Sequence, residues 1–97
     1  MHEVEELADI FKALSDSTRL RLVKLLVDYD GALCVNALAR KLGVTQSAVS
    51  QHLRVLRQVG LVRGERDGPF VHYSVDAEGL ERYRVTLSEI LGDEFIR

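Results

Sequence analysis

A chain of 97 residues, of which 46% are hydrophobic and 29% charged, is expected to form one globular domain that is marginal as an isolated monomer. The composition excludes a disordered protein, and no apolar run approaches the roughly 20 residues needed to span a bilayer. The acidic N-terminus lacks the basic start and apolar block of a signal peptide, so a cytoplasmic protein without a membrane partner is expected. Cys34 is the only cysteine, which excludes an intrachain disulfide.

The net charge of −2 is unevenly distributed along the chain. Residues 36–66 hold six basic side chains and one acidic one, a balance of +5. Residues 1–14, with four acids and one base, and residues 76–97, with six acids and three bases, each have a balance of −3. Ionic screening limits the reach of those distant acids to about 8–10 Å, so local charge determines attraction to phosphate. The middle third is therefore expected to attract a polyanion.

Two amphipathic helices are predicted first. Residues 3–14 place five apolar side chains on one face and acids in the first turn, where the helix dipole favours them. Residues 15–18, Ser-Asp-Ser-Thr, are rich in capping side chains and start a second helix at about 17–28. This second helix is apolar on more than half of its circumference, so it is expected to be the most buried helix. The apolar face of the first helix consists of Val4, Leu7, Ala8, Phe11 and Leu14.

The middle of the chain predicts a helix-turn-helix over about 35–59. A short helix at about 35–42 ends at Gly43, because glycine adopts the left-handed conformation at little cost. Thr45 can cap a second helix at about 46–59, which Gly60 stops. Two helices joined by a glycine-containing turn of this length are typical of DNA-binding helix-turn-helix motifs.

A β-hairpin and a last helix complete the predicted domain. Residues 61–66 and 71–75 read as two strands around the turn signal Asp67-Gly68, which gives a wing at about 61–75. Asp76 can cap a final helix at about 77–92. The predicted fold is mainly α with a small β-hairpin, in the order ααααββα, as one winged helix-turn-helix domain over residues 1–97.

The second helix of the helix-turn-helix offers hydrogen-bonding groups without any carboxylate. No acid occurs between Thr45 and Gly60, and the apolar stripe of Val49, Leu53 and Leu56 leaves the polar side chains facing out. Glutamine and serine near the start of such a helix reach base edges, and arginine can bind guanine through two hydrogen bonds. This helix is therefore predicted to read DNA. The base-reading candidates are Gln46, Ser47, Ser50 and Gln51, with His52 and Arg54 at the flank of the helix.

Several of these assignments have an alternative. For His52, packing or a hydrogen bond within the domain explains the residue as well as a DNA contact does. Arg63 and Arg66 of the wing, and Arg40 and Lys41 of the preceding helix, are candidates for phosphate contacts. Ordinary solubilising charge is the alternative for these four.

The chain resembles the ArsR/SmtB family of bacterial and archaeal winged-helix repressors. The resemblance rests on FKALSDSTRLRLVKLL at 11–26, VNALARKLGVTQSAVSQHLRVLRQVGLV at 35–62 and HYSVD at 72–76. It implies a homodimer whose first and last helices pack across a two-fold axis, and repression that an inducer, most often a metal or metalloid ion, relieves. Two apolar helix faces on so short a chain independently favour a dimer. The candidate interface residues are Val4, Leu7, Phe11, Leu80, Tyr83, Leu87, Ile90 and Leu91.

The metal-ligand sets usual in that family are missing. Its arsenic and cadmium sensors carry Cys-Val-Cys where this chain has Cys34 followed by Val35 and Asn36. Its zinc sensors place acid and histidine ligands where this chain has Ala77, Gly79, Ile90 and Asp93, and only Asp93 could bind a metal.

Two candidate ligands remain, and neither makes a cofactor certain. His2 lies beside the α-amine and near Glu3, Glu5 and Glu6, a donor set that suits a nickel-like ion, and a solvated tail is its alternative. Cys34 could act with groups from a partner subunit, and a small half-buried apolar residue is its alternative. One hypothesis is therefore a metal sensor. The other, which we favour, is a family member that has lost the metal sites and answers to another signal or to none.

An enzyme is not expected. The sequence has no grouping of nucleophile, base and orienting acid and no glycine-rich phosphate loop, and its three histidines belong to three different elements. The predicted function is a sequence-specific repressor that binds an inverted-repeat operator on double-stranded DNA as a homodimer, with an unknown inducer. The alternative from another class is a winged-helix module that binds proteins and not DNA.

Overall fold

The computed structural model describes residues 2–96, with side chains described up to residue 94. Within that range the chain forms five α-helices, a three-stranded antiparallel sheet and a final 3₁₀-helix. No helix in these residues is both long and apolar enough to cross a lipid bilayer. The elements are α1 (His2–Leu14), α2 (Ser17–Asp28), β1 (Leu33–Cys34), α3 (Val35–Leu42), α4 (Gln46–Gln58), β2 (Val62–Asp67), β3 (Phe70–Val75), α5 (Ala77–Leu91) and the 3₁₀-helix Asp93–Ile96.

The sheet corrects the predicted order of elements. The chain runs ααβααββα before the 3₁₀-helix, and not ααααββα, because β1 adds a third strand beside β3. Leu33 pairs with Tyr73 and Cys34 pairs with His72, in the sheet order β1-β3-β2. A strand of two residues is too short to show an alternating pattern, so only its distant partners reveal it. The wing is therefore anchored to the body of the domain along one edge.

The wing turn lies one residue later than the sequence suggests. Asp67 still pairs with Phe70, so the two turn residues are Gly68 and Pro69. Gly68 has a φ of 62°, and the proline ring holds φ of Pro69 near −65°. A positive φ followed by a negative one, with glycine first, is the type II′ turn that suits a two-residue hairpin.

The core lies between the sheet and the helices α2, α3 and α4. Its apolar stripe from α4 is the predicted one, since Val49, Leu53 and Leu56 are each no more than 1% exposed. Burial of such side chains is the main force that holds a domain of this size together. The largest fully buried side chains are Leu22, Leu26, Leu38, Val49, Leu53, Leu56, Leu61 and Val62.

The first two helices leave apolar surface uncovered. α1 buries Leu7, which belongs to its predicted apolar face, but Phe11 of the same face is 51% exposed. α2 buries three side chains, yet Leu20 and Val27 are 51% and 52% exposed, although the helix was expected to be the most buried one. Each helix therefore carries more apolar surface than this domain alone covers.

α5 is attached to the segment that follows α4. The side chain of Asp76 caps α5 by accepting from the backbone N–H of Gly79 at 3.0 Å, and the backbone N–H of Asp76 donates to the carbonyl of Leu61 at 2.9 Å. The hydroxyl of Tyr83 donates to the carbonyl of Val59 at 2.6 Å. These bonds fix the last helix against the end of the helix-turn-helix.

Candidate nucleic-acid interface

The turn between α3 and α4 sets the angle of the second helix. Gly43 ends α3 with a φ of 69°, and its N–H and that of Val44 both donate to the carbonyl of Ala39, at 2.9 and 3.2 Å. Thr45 then starts α4, because its hydroxyl accepts from the backbone N–H of Ala48 at 3.0 Å. Ala39 is 6% exposed, so a small side chain lies where the two helices approach each other. The helix-turn-helix predicted over 35–59 is formed.

The outer face of α4 brings together five of the predicted contact residues. All five are exposed, and within residues 2–96 none of their side chains makes a hydrogen bond or an ion pair. Their amide, hydroxyl and guanidinium groups are therefore free to bind another molecule. These residues are Gln46, Ser47, Ser50, Gln51 and Arg54.

His52 differs from its neighbours because it turns toward the domain. Its ring is half-buried, and Nδ1 lies 3.3 Å from a terminal guanidinium nitrogen of Arg19 in α2. Nearby, the carboxylate of Asp16 accepts the backbone N–H of Arg19 at 3.1 Å. That hydrogen bond first, and then the charges of Arg19 and His52, hold the pKa of Asp16 below its ordinary value. Of the two explanations given for His52, the structure contains the hydrogen bond within the domain.

The basic residues at the end of α3 adjoin the start of α4. Arg40 and Lys41 are both exposed. A polar cleft of about 430 Å³ connects Arg40 to Gln46 and Asn36. In the sequence, Asn36 is notable only because it stands where related sensors have a cysteine. Its polar side chain in the first turn of α3 is the signal that would have placed it on this surface.

The wing does not place its two arginines together. Side chains alternate along a strand, so Arg63 and Arg66 of β2 point to opposite faces of the sheet. Arg63 is paired with Glu65 at 3.1 Å, whereas Arg66 has no ion-pair partner among the described residues. Arg66 is therefore a better candidate for a phosphate contact than Arg63.

The tip of the wing carries an aromatic side chain that the sequence reasoning missed. Phe70 is 54% exposed beside the turn. A cleft of about 260 Å³ separates it from Gln46 and Asn36, so the wing tip and the start of α4 border one concave surface. In the sequence, only its place next to Pro69, beside the predicted turn, indicates that Phe70 lies at the wing tip.

Among the described residues, neither of the two candidate metal ligands has enough donor side chains beside it to form a metal site. His2 is exposed, and its Nε2 contacts a carboxylate oxygen of Glu6 at 2.8 Å. Cys34 is half-buried at the end of β1 and pairs with His72 in the sheet. No three histidine, cysteine, aspartate or glutamate side chains within residues 2–96 are grouped so that they could hold a metal ion.

The candidate dimer residues fall into two groups. Leu80 and Tyr83 pack against the core of their own chain, and Leu87 is half-buried. The others border an apolar groove of about 220 Å³ between α1 and α5. The side chains lining this groove are Val4, Leu7, Ala8, Phe11, Ile90 and Leu91.

Comparisons with known proteins agree with this architecture. The model of the family described as "Bacterial regulatory protein, arsR family" matches residues 16–63. The nodulation protein NolR of Rhizobium meliloti is 38% identical over 94 residues, which cover 96% of this chain and 75% of that protein. An ArsR-like transcriptional regulator from a Rhodococcus species superposes with a TM-score of 0.81 at 32% identity, over 98% of this chain and 87% of the other. The homodimeric winged helix-turn-helix DNA-binding domain from Mycobacterium bovis superposes with a TM-score of 0.73 at 29% identity, over 96% and 83% of the two chains.

Proposed function

The chain belongs to the ArsR family of bacterial regulatory proteins and is a DNA-binding transcriptional repressor, and we propose that it binds an inverted-repeat operator as a homodimer through the outer face of α4. One observation supports this placement above the others. The five polar side chains of that face are exposed and without partners in the described residues, on a helix that carries no carboxylate. A surface of this kind suits a ligand that is negatively charged and presents hydrogen-bonding edges.

We assign the reading of bases to residues 46–54 of α4. Gln46 and Gln51 carry planar amides that can match the two edge groups of adenine, and Arg54 can match those of guanine. In helix-turn-helix proteins the start of the recognition helix enters the major groove, which is where Gln46, Ser47 and Ser50 lie.

Phosphate contacts come from the surroundings of α4. Arg40 lies across a cleft from its first residue, Lys41 is exposed beside Arg40, and Arg66 lies on the wing. Such contacts fix the orientation of the protein on the duplex without reading its sequence. The balance of +5 over residues 36–66 attracts the duplex, because the acidic ends of the chain lie outside this segment.

The homodimer uses the groove between α1 and α5. Exposed apolar side chains in one continuous groove, such as Phe11, Ile90 and Leu91, are costly to leave in water. To bind an inverted repeat, such a dimer would place its two copies of α4 in successive major grooves, one helical turn of DNA or about 34–36 Å apart. The homodimeric domain from Mycobacterium bovis is consistent with this assembly. A repressor of this kind acts in the cytoplasm, where the DNA is.

The signal for release is the second part of the proposal. Of the positions of the family's usual ligands, those held by Asn36, Ala77, Gly79 and Ile90 supply no strong metal donor, and only Cys34 and Asp93 could bind a metal. We therefore favour a repressor that answers to a signal other than a metal at those positions, or to none. A sensor built from His2 with Glu6, or from Cys34 with groups of a partner subunit, is the competing proposal.

The DNA proposal is tested by operator selection followed by affinity measurements over a range of salt. Gln51→Ala should weaken operator binding by about 10- to 100-fold for each of the two half-sites, the loss expected for one base contact per subunit. Gln58→Ala is the matched control, because Gln58 is an exposed glutamine two turns further along the same helix. A flat salt response, or an unchanged affinity for the variant Gln51→Ala combined with Arg54→Ala, favours the protein-interaction module instead.

The release proposal needs a separate experiment. Operator binding is measured against a panel of divalent ions, arsenite and oxidants, and neither the divalent ions nor arsenite should release the DNA. Release by a metal that His2→Ala or Cys34→Ser abolishes would show that the competing proposal is right.

A further inference from the structure

Arg19 is the basic side chain of α2 that turns into the domain. It is half-buried, whereas Arg21 and Lys24 of the same helix are exposed. Its Nε donates to the carbonyl of Ala13 at 2.6 Å. That carbonyl belongs to the last turn of α1, where carbonyl groups have no partner inside their own helix. The guanidinium is therefore held in place by the end of α1.

The same guanidinium reaches the recognition helix. One of its terminal nitrogens lies 3.3 Å from Nδ1 of His52. A guanidinium is only a donor, so Nδ1 must be the acceptor, and the ring proton of neutral His52 is then on Nε2. The Asp16 carboxylate faces the same cluster, and its pKa is held below the ordinary value by the Arg19 backbone N–H first and then by the charge of Arg19.

This contact adds a directional constraint to the apolar packing and the turn that already hold α4. The inner face of the helix is buried through Val49, Leu53 and Leu56, and burial of apolar surface has no preferred direction of its own. A hydrogen bond is directional, and this one lies between the buried stripe and the outer face of α4. It therefore resists rotation of α4 about its own axis, which would turn Gln51 and Arg54 away from the bases they contact.

We propose that Arg19 is a positioning residue for DNA recognition, which holds His52 through Nδ1 and thereby fixes the orientation of the base-reading face of α4. The inference rests on the proposed function, because a recognition face must exist for its orientation to matter. It assigns His52 to the domain and not to the DNA. It also joins α1, the helix of the proposed dimer groove, to α4 through one side chain.

The test uses two substitutions that each keep one half of the imidazole. His52→Asn keeps a polar atom near the position of Nδ1, and His52→Gln keeps one near the position of Nε2. Both leave the bond from Arg19 to Ala13 available, so the fold is retained more readily than in an Arg19 variant. For each protein, the ratio of affinities for operator and unrelated DNA is measured at one salt concentration, and urea unfolding confirms the fold.

His52→Asn should keep the wild-type ratio, and His52→Gln should lower it about tenfold, because each of the two subunits loses one hydrogen bond. Imidazole ¹⁵N spectra of the wild type should show Nδ1 as an acceptor, and Arg19→Gln should change that signal. If His52→Gln keeps the ratio and His52→Asn loses it, the ring contacts DNA directly and the inference is overturned. It is also overturned if both variants behave like the wild type. A wild-type protein without preference for any operator would instead overturn the proposed function, while the ¹⁵N spectra would still report the contact.

Discussion

A methyl group on Gly79 would lie 1.8 Å from the carbonyl oxygen of Gly60. The first turn of α5 therefore rests directly on the backbone that ends the helix-turn-helix, closer than any residue with a Cβ allows. Gly60 itself has a φ of 79°, a left-handed conformation that few other residues adopt. The two glycines together let α5, half of the proposed dimer groove, contact the recognition unit without an intervening side chain.

Gly79→Ala should destabilise the domain although alanine favours helices. The gain in helix propensity is about 1 kcal/mol, whereas a methyl group forced against a backbone oxygen must displace α5. We expect a net loss of roughly 1–3 kcal/mol in the free energy of unfolding, measured with urea. The control is Glu89→Ala, an exposed change on the same helix that should stay within about 0.5 kcal/mol. Equal stability of the two variants would show that the close approach is not needed.

Tyr83→Phe tests whether this tyrosine belongs to its own core or to the dimer. The structure shows its hydroxyl donating to the carbonyl of Val59, so its loss should lower the free energy of unfolding by about 1 kcal/mol. The dimer dissociation constant should not change. Tyr73→Phe is the matched control, because Tyr73 is a half-buried tyrosine whose hydroxyl has no hydrogen bond among the described residues. If Tyr83→Phe weakens the dimer and leaves the free energy of unfolding unchanged, Tyr83 belongs to the dimer interface.

The two wing arginines should differ in their effect on salt dependence. Arg63 is partly neutralised by Glu65, whereas Arg66 has no carboxylate partner in residues 2–96. If Arg66 contacts one phosphate in each half-site, Arg66→Ala should reduce the log–log salt slope by about 1.8, or 0.9 for each of two copies. Arg63→Ala should reduce it by less. The slopes come from operator titrations between low and moderate salt, and a larger effect of Arg63→Ala would contradict this assignment.

The sequence predicted the elements whose signal is local. The helix-turn-helix was readable because Gly43, Thr45 and Gly60 mark its limits and a stripe of aliphatic residues repeats at helical spacing. β1 was not readable, since two residues carry no period and their partners, Tyr73 and His72, lie far along the chain.

The contacts of individual side chains were predicted less well for the same reason. The polar face of α4 follows from spacing alone, and the five side chains predicted for it are exposed. The bond between Arg19 and His52 joins residues 33 positions apart, and that between Tyr83 and Val59 joins residues 24 apart. Nothing in either local pattern shows which distant group a half-buried polar side chain will meet.

Acid should weaken the domain partly through Asp16. The backbone N–H of Arg19 first, with the charges of Arg19 and His52, holds the pKa of the folded carboxyl below its ordinary value near 3.8. A carboxyl with a depressed pKa adds stability that is complete above the unfolded value and is lost as the pH falls through the folded value. Urea unfolding from about pH 6 to about pH 3 should therefore show a steeper loss for the wild type than for Asp16→Asn. Parallel curves would mean that this carboxyl does not contribute.

Two exposed apolar surfaces are candidates for the dimer interface. One pair of substitutions shows which of them forms it. Among the described residues, the side chains that line the groove between α1 and α5 are all apolar, and Phe11 is one of them. A second groove on α2, near Leu20, is lined by Arg21, Lys24 and Asp28 as well. A two-fold dimer through the second groove would remove water from its charged groups, a desolvation cost that the apolar groove between α1 and α5 does not carry.

Phe11→Asp should therefore raise the dimer dissociation constant by at least about tenfold, because it places a charge in the centre of an apolar interface. Leu20→Asp is the matched control, since Leu20 is exposed to the same extent, 51%. It should leave the dimer unchanged in sedimentation measurements. Operator affinity should fall with Phe11→Asp at low protein concentration and recover as the concentration rises, because a monomer reaches only one half-site. The reverse pattern, with Leu20→Asp dissociating the dimer, would place the two-fold axis on α2 and change the spacing of the two recognition helices.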